Sequence, residues 1–120
     1  MKTENPVLDK SKAFAVRIVK LCQYLAQRNG EVVLSRQLLK SGTSIGANIR
    51  EGVRAQSKSD FVAKLCIALK ESSETEYWLE LLHETGYLTE AQFDDIYADA
   101  KEMVKLLTAI VKTAKAKKKL

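Results

Sequence analysis

The chain has 120 residues, of which 46% are hydrophobic and 29% charged, a composition typical of one folded globular domain and not of a disordered segment. The longest purely apolar run has five residues, whereas a membrane-spanning helix needs about 20. The first apolar stretch ends at Arg17, too early for a signal peptide, so we expect a cytoplasmic protein with no membrane segment. The net charge of +5 divides into +7 for residues 1–64, −8 for residues 65–100 and +6 for residues 101–120. This division fits either a polyanionic partner or attraction between oppositely charged helices.

Long helices are expected because proline occurs once and glycine five times. The first helix is predicted over residues 6–29. Asn5 and Pro6 form a helix-start signal, and Gly30 can adopt the left-handed conformation that ends a helix. Between these residues the apolar side chains recur at spacings of four, three and four, as they do on one face of a helix: Phe14, Ile18, Leu21 and Leu25.

The second helix is predicted over residues 32–53, and its apolar face consists of Leu34, Leu38, Ile45, Ile49 and Val53. Residues 57–60 (SKSD) form a capping box that opens a third helix over residues 58–85. Gly86 ends this third helix. Its apolar face consists of Phe61, Leu65, Ala68, Ser72, Leu79 and Leu82.

Residues 89–92 (TEAQ) form a second capping box, and the fourth helix is predicted over residues 90–115, followed by a basic tail over residues 115–120. Its apolar face consists of Phe93, Ile96, Ala100, Val104, Leu107 and Val111. No window alternates polar and apolar residues as a strand does. Because the connections are short, we expect residues 1–120 to form a single all-α domain, an antiparallel up-down-up-down four-helix bundle.

The second helix contains glycine at interior positions. Each interior glycine costs about 1 kcal/mol of helix stability relative to alanine. Gly42 and Gly46 lie four residues apart and therefore on one side of the helix. We interpret this spacing as a site of close packing against a neighbouring helix. The alternative is a break in the helix, with a loop over residues 41–44 that holds an anion.

Two rows of cations could meet a polyanion. On the second helix, one face off the apolar stripe contains Arg36, Lys40, Arg50 and Arg54. Over 18 residues this row is about 27 Å long, enough to neutralise several phosphates. On the fourth helix, a similar face contains Lys101, Lys105, Lys112, Lys115 and Lys119. The alternative for this second row is a solvated face whose last lysines interact with the helix dipole.

The third helix has a second apolar face, which suggests burial on two sides. This face contains Ile67, Tyr77, Trp78 and Leu81. We interpret it as a subunit contact. The alternative is that Tyr77 and Trp78 cover a groove within the monomer.

Catalytic and metal sites are not expected. Cys22 and Cys66 are isolated thiols, interpreted as reduced packing residues. Glu80 and His83 form a Glu-x-x-His unit like those of di-metal bundles, but such a site needs two units, and the chain has one histidine. We interpret the acidic residues Asp94, Asp95 and Asp99 as partners of the helix dipole. Neither a metal nor another cofactor is predicted.

Residues 37–52 (QLLKSGTSIGANIREG) resemble the signature of a bacterial family, the four-helix bundle proteins often encoded in intervening sequences of 23S ribosomal RNA genes. The resemblance extends over about residues 7–113, and four more segments contribute to it: residues 14–19 (FAVRIV), 55–61 (AQSKSDF), 68–72 (ALKES) and 76–82 (EYWLELL). It implies a ring-shaped homopentamer. The chain also resembles the accessory variability proteins of diversity-generating retroelements, which implies nucleic-acid binding and assistance to a reverse transcriptase. The two resemblances together leave either a reverse transcriptase or ribosomal RNA as the expected partner.

The residues and the resemblance together predict a non-enzymatic oligomeric bundle that binds RNA or DNA. The chain has no helix-turn-helix signature and no aromatic ribonucleoprotein motif. We therefore expect salt-sensitive contacts with the phosphate backbone and no reading of base sequence. The alternative function is a protein-interaction adaptor whose basic faces dock an acidic protein surface.

Overall fold

A computed structural model describes residues 5–118 as four α-helices: α1 (Pro6–Asn29), α2 (Val33–Val53), α3 (Lys58–Glu84) and α4 (Glu90–Lys118). Each helix packs on the next one in the chain, and α4 returns to α1. Consequently α1 and α3 occupy one pair of opposite corners, and α2 and α4 occupy the other. Residues 5–118 contain no strand. The predicted all-α four-helix fold is confirmed.

Contacts between neighbouring helices show that each pair runs antiparallel. The Oγ of Ser41 accepts a hydrogen bond from the Oγ1 of Thr75 on α3, at 3.0 Å. Further along α2, Gly52 lies against Leu65, which is earlier in α3. In the same way, Lys10 and Arg17 of α1 reach successively earlier positions of α4. The direction of the chain therefore alternates from helix to helix, as short connections require.

Side-chain caps begin three of the helices. The Oδ1 of Asn5 accepts from the backbone N–H of Leu8, at 3.1 Å, and the Oγ of Ser57 accepts from the N–H of Asp60, at 3.1 Å. At the start of α4 the backbone N–H of Thr89 donates to the side chain of Gln92, and the N–H of Gln92 donates to the Oγ1 of Thr89. These bonds satisfy backbone donors that have no partner inside the helix.

The start of α2 uses a cap that the sequence pattern did not indicate. The carboxylate of Glu31 accepts from the backbone N–H groups of Leu34 and Ser35, at 2.9 and 2.8 Å. Glu31 is only 8% exposed, and its charge is favourable at the positive end of the helix dipole. Burial, together with the nearby charge of Glu31, raises the pKa of the Cys22 thiol to about 11.

Glycines of α2 allow the neighbouring helices to pack closely against it. A Cβ atom built on Gly42 would lie 2.9 Å from Cγ2 of Ile18, and one on Gly46 would lie 3.3 Å from Oγ of Ser11. On the other side of α2, a Cβ on Gly52 would lie 2.6 Å from Cδ2 of Leu65. Close packing therefore extends to a third glycine and involves α3 as well as α1.

Two details differ from the sequence-based expectations. Residues 41–48 are helical throughout, so the alternative of an anion-binding loop at residues 41–44 is wrong. The fourth helix does not end at residue 115 but continues to Lys118. Alanine and lysine favour helix, and no glycine or proline interrupts this segment. None of the four helices within residues 5–118 combines the length and the apolar character that a membrane span requires.

We expect Gly42→Ala to destabilise the protein more than Gly46→Ala. Both changes gain about 1 kcal/mol of helix propensity, but the new methyl group at residue 42 overlaps the branched side chain of Ile18, a kind of overpacking that typically costs about 1–3 kcal/mol. Urea unfolding measures both free energies. A Gly42→Ala protein at least as stable as Gly46→Ala would contradict the close packing described above.

We also expect the Cys22 thiol to react slowly with a thiol reagent at pH 8. It is buried, and with a pKa of about 11 it stays almost fully protonated at that pH. The half-buried Cys66 should react first, so Cys66→Ala should remove the fast phase and Cys22→Ala should leave it. Equal rates for the two thiols in the folded protein would refute this assignment.

Candidate nucleic-acid interface

The outward face of α2 contains the four predicted cations of that helix. Arg36, Lys40, Arg50 and Arg54 are all exposed. They lie opposite the side of α2 that buries Leu38, Ile45 and Ile49, each 0% exposed. We call Arg36, Lys40, Arg50 and Arg54 the α2 basic face. Because the buried face fixes the rotation of the helix, all four cations point away from the bundle.

No ion pair involves the α2 basic face within residues 5–118. Glu51, the carboxylate next to Arg50 in the chain, pairs instead with Lys64 of α3, at 3.0 Å between Oε1 and Nζ. The four positive charges are therefore available to an external anion.

A groove of about 620 Å³ between α1 and α2 adjoins the α2 basic face. Gly46, which has no side-chain carbon, and Ala47, which has a single methyl group, are among the residues that line it. Arg50 and Lys12 line the groove, but so do two carboxylates, Asp9 and Glu51. The charge of the groove is therefore mixed, and the positive surface is concentrated on the α2 basic face.

The lysines of α4 form a separate surface. Lys105, Lys112 and Lys115 are exposed, whereas Lys119 lies outside the described residues. Because α2 and α4 occupy opposite corners, the structure does not bring these lysines together with the α2 basic face. Lys101, at the start of the same row, lies 5.4 Å from the centre of the Tyr97 ring, so it makes a cation–π contact within the protein.

The acidic residues at the start of α4 pair with α1. Arg17 contacts the carboxylates of Asp95 and Asp99, and Lys10 pairs with Glu102 at 2.8 Å. Our interpretation of Asp95 and Asp99 as partners of the helix dipole omitted this pairing. Attraction between oppositely charged helices therefore accounts for part of the uneven charge distribution, and it uses cations of α1 rather than of α2.

The Glu-x-x-His unit of α3 has other contacts. Glu80 accepts a hydrogen bond from the hydroxyl of Tyr97, at 2.5 Å, and this bond, together with burial, raises the pKa of the tyrosine. His83 stacks on Phe93 and contacts Glu90, at 2.9 Å from Nε2 to Oε1. Within residues 5–118, no group of three or more His, Cys, Asp or Glu side chains could hold a metal ion.

The second apolar face of α3 is only partly exposed. Ile67 is 41% and Tyr77 55% exposed, whereas Trp78 and Leu81 are half-buried. Trp78 packs against the core, and its Nε1 donates to Glu74 at 3.1 Å. Packing against the monomer core thus explains part of the apolar contact of Trp78, but it does not explain why Ile67 and Tyr77 are exposed apolar side chains. We call Ile67, Tyr77, Trp78 and Leu81 the α3 apolar face.

The described residues 5–118 therefore form an all-helical bundle, and the α2 basic face makes no ion pair within them. Residues 3–109 match the sequence model of a family described as 23S rRNA-intervening sequence protein, and the chain belongs to this family. A crystal structure from Bacteroides thetaiotaomicron, described as a protein with unknown function from the S23 ribosomal protein family, is 57% identical to the chain. Its TM-score is 0.87, with 88% of this chain and 98% of that chain covered. No curated protein matches the chain.

We expect Arg17→Gln to lower the free energy of unfolding by up to about 1 kcal/mol, because it removes two partly exposed ion pairs between α1 and α4. In a protein with Asp95→Asn and Asp99→Asn, the same change should cost much less. Urea unfolding of the four proteins measures this coupling. Lys40→Gln, which removes an exposed cation of α2 that makes no ion pair in residues 5–118, is the control; an equal loss for both changes would refute the pairing.

Proposed function

We propose that the protein is a non-enzymatic, self-associating helical bundle that binds RNA or DNA through phosphate contacts with the α2 basic face. The observation that supports this function best is a row of four exposed cations without an ion pair in residues 5–118. Other cations of the chain, such as Lys10, Arg17 and Lys64, already pair with carboxylates. Arginine guanidinium groups suit phosphate because they can donate two parallel hydrogen bonds.

The length of the row is compatible with a polymer. Arg36 and Arg54 are 18 residues apart on one helix, which corresponds to about 27 Å along its axis. A nucleic-acid backbone presents several phosphates over this length. Because such contacts do not involve base edges, we expect little dependence of affinity on sequence.

The lysines of α4 would contact a separate stretch of nucleic acid. Lys105, Lys112 and Lys115 lie at the corner opposite α2, so a straight backbone could not follow both rows on one protomer. In an assembly, rows from several protomers would add to the affinity by multivalency. We propose the α3 apolar face as the contact between protomers. The ring-shaped homopentamer implied by the family resemblance stays a prediction.

The salt dependence of binding tests the proposal. For each phosphate that the protein no longer neutralises, the slope of log K against log salt concentration should fall by about 0.7 on single strands and 0.9 on duplex DNA. Substituting glutamine at all four positions of the α2 basic face should therefore reduce the slope by about 3 to 4. Fluorescence anisotropy with labelled RNA and DNA oligonucleotides of several sequences measures this slope. A variant with glutamine at Lys105, Lys112 and Lys115 measures how much of the slope the α4 lysines contribute.

A matched control has the same change in net charge on the other three helices. It replaces four exposed cations by glutamine: Arg28, Lys58, Lys70 and Lys117. We expect this variant to keep most of the wild-type slope. An equal loss in both variants would contradict a localised interface, and no binding to RNA or DNA at low salt would exclude the function. In that case tight binding to an acidic protein would support the adaptor alternative.

A further inference from the structure

The corner of the bundle opposite α3 also exposes apolar side chains. Val16 is 46% and Val19 36% exposed on α1, although both are large hydrophobic residues. Their spacing places them on one side of α1, opposite the buried Phe14 and Ile18. Exposed Lys12, Lys20 and Gln23 lie on that same side. We call Lys12, Val16, Val19, Lys20 and Gln23 the α1 outer face.

The α1 outer face contains two lysines that make no ion pair in residues 5–118. Lys12 lines the groove that Asp9 and Glu51 also line, and Lys20 lines a pocket beside Asp95. Neither lysine makes an ion pair in this part of the chain, since the carboxylates of α4 pair with Lys10 and Arg17. An apolar centre between two cations is therefore exposed to solvent.

The α3 apolar face has the opposite charge at its edge. Glu71 and Glu74 lie beside Ile67 and Trp78, and neither glutamate pairs with a cation within residues 5–118. The carboxylate of Glu74 accepts only the indole N–H of Trp78 among the hydrogen bonds of this region. Lys70 also lies on this side of α3, so the two glutamates leave the edge with one net negative charge.

We propose that the α1 outer face of one copy packs against the α3 apolar face of the next copy. This inference rests on the self-association proposed above and specifies its geometry. Both faces expose apolar side chains that lose exposed area on contact, and the lysines of one edge meet the glutamates of the other. The partner that this chemistry fits is therefore a second copy of the chain.

The charges also determine the type of contact. If two α3 apolar faces met, Glu71 and Glu74 would oppose their own copies; if two α1 outer faces met, Lys12 and Lys20 would do so. Because the α3 edge keeps one net negative charge with Lys70 included, the mixed pairing is the one that joins two edges of opposite net charge. Because α1 and α3 occupy opposite corners, one protomer can use both faces at once, and a contact of this head-to-tail type forms a ring when its rotation closes.

Mass measurements on variants test this geometry. An α1 variant has Val16→Glu and Val19→Glu, and an α3 variant has Ile67→Gln and Tyr77→Gln; these positions are exposed, so the helices should still form. We expect each variant alone to have the monomer mass of 13.4 kDa in analytical ultracentrifugation. Mixed in equal amounts, they should form a pair of twice that mass, since one intact α1 outer face then meets one intact α3 apolar face.

Each other outcome has a definite meaning. Val53→Glu, at a residue 44% exposed outside both faces, is the matched control and should keep the wild-type mass. A monomeric wild-type protein would overturn the proposed self-association and this inference with it. An oligomeric wild type with an α1 variant of unchanged mass would overturn the inference alone. Variants that stay monomeric when mixed, while circular dichroism shows full helix content, would also overturn it.

Discussion

The close approach of α2 to its two neighbours is the constraint on which the rest of the structure depends. Glycines at residues 42 and 46 let α2 approach α1, and Gly52 lets it approach α3. Contacts on both flanks leave the helix no freedom to rotate about its axis. As a result, the outward side of α2 is defined by packing in the interior, and the positions of the surface charges follow from it.

Ion pairs between α1 and α4 explain why the positive charge of the surface is concentrated on α2. The net charge of +7 in residues 1–64 comes largely from α1 and α2, but the acidic start of α4 neutralises Arg17 of α1. Since α2 does not lie beside α4, its cations have no such partners there. The uneven charge along the chain thus becomes an uneven charge over the four corners of the bundle. Neither the net charge nor the isoelectric point describes this unevenness.

Much of the fold could be predicted from the sequence because helix signals are local. Apolar spacing, capping boxes and terminal glycines each act within one or two turns, so they indicate all four helices. The cap at Glu31 was not predicted, since a glutamate just before a helix has no short pattern of its own. The pairs of Arg17 and the role of Gly52 were not predicted for another reason: they depend on which helices become neighbours, and the sequence does not state this locally.

The candidate site was predictable to a similar extent. Helical geometry alone identified the exposed side of α2, but it gave no information on which carboxylates would neutralise which cations. The α3 apolar face shows the same limit, because Trp78 packs towards the core while Tyr77 stays in solvent.

The tight packing of α2 has a consequence for how this helix can vary. Side chains at residues 42 and 52 cannot grow without moving a neighbouring helix, whereas the outward positions meet only solvent. Substitutions in α2 are therefore tolerated mainly on its outer surface. A new side chain there changes the chemistry of the surface and leaves the packing of the bundle intact. The binding surface of α2 could thus change while the fold stays the same.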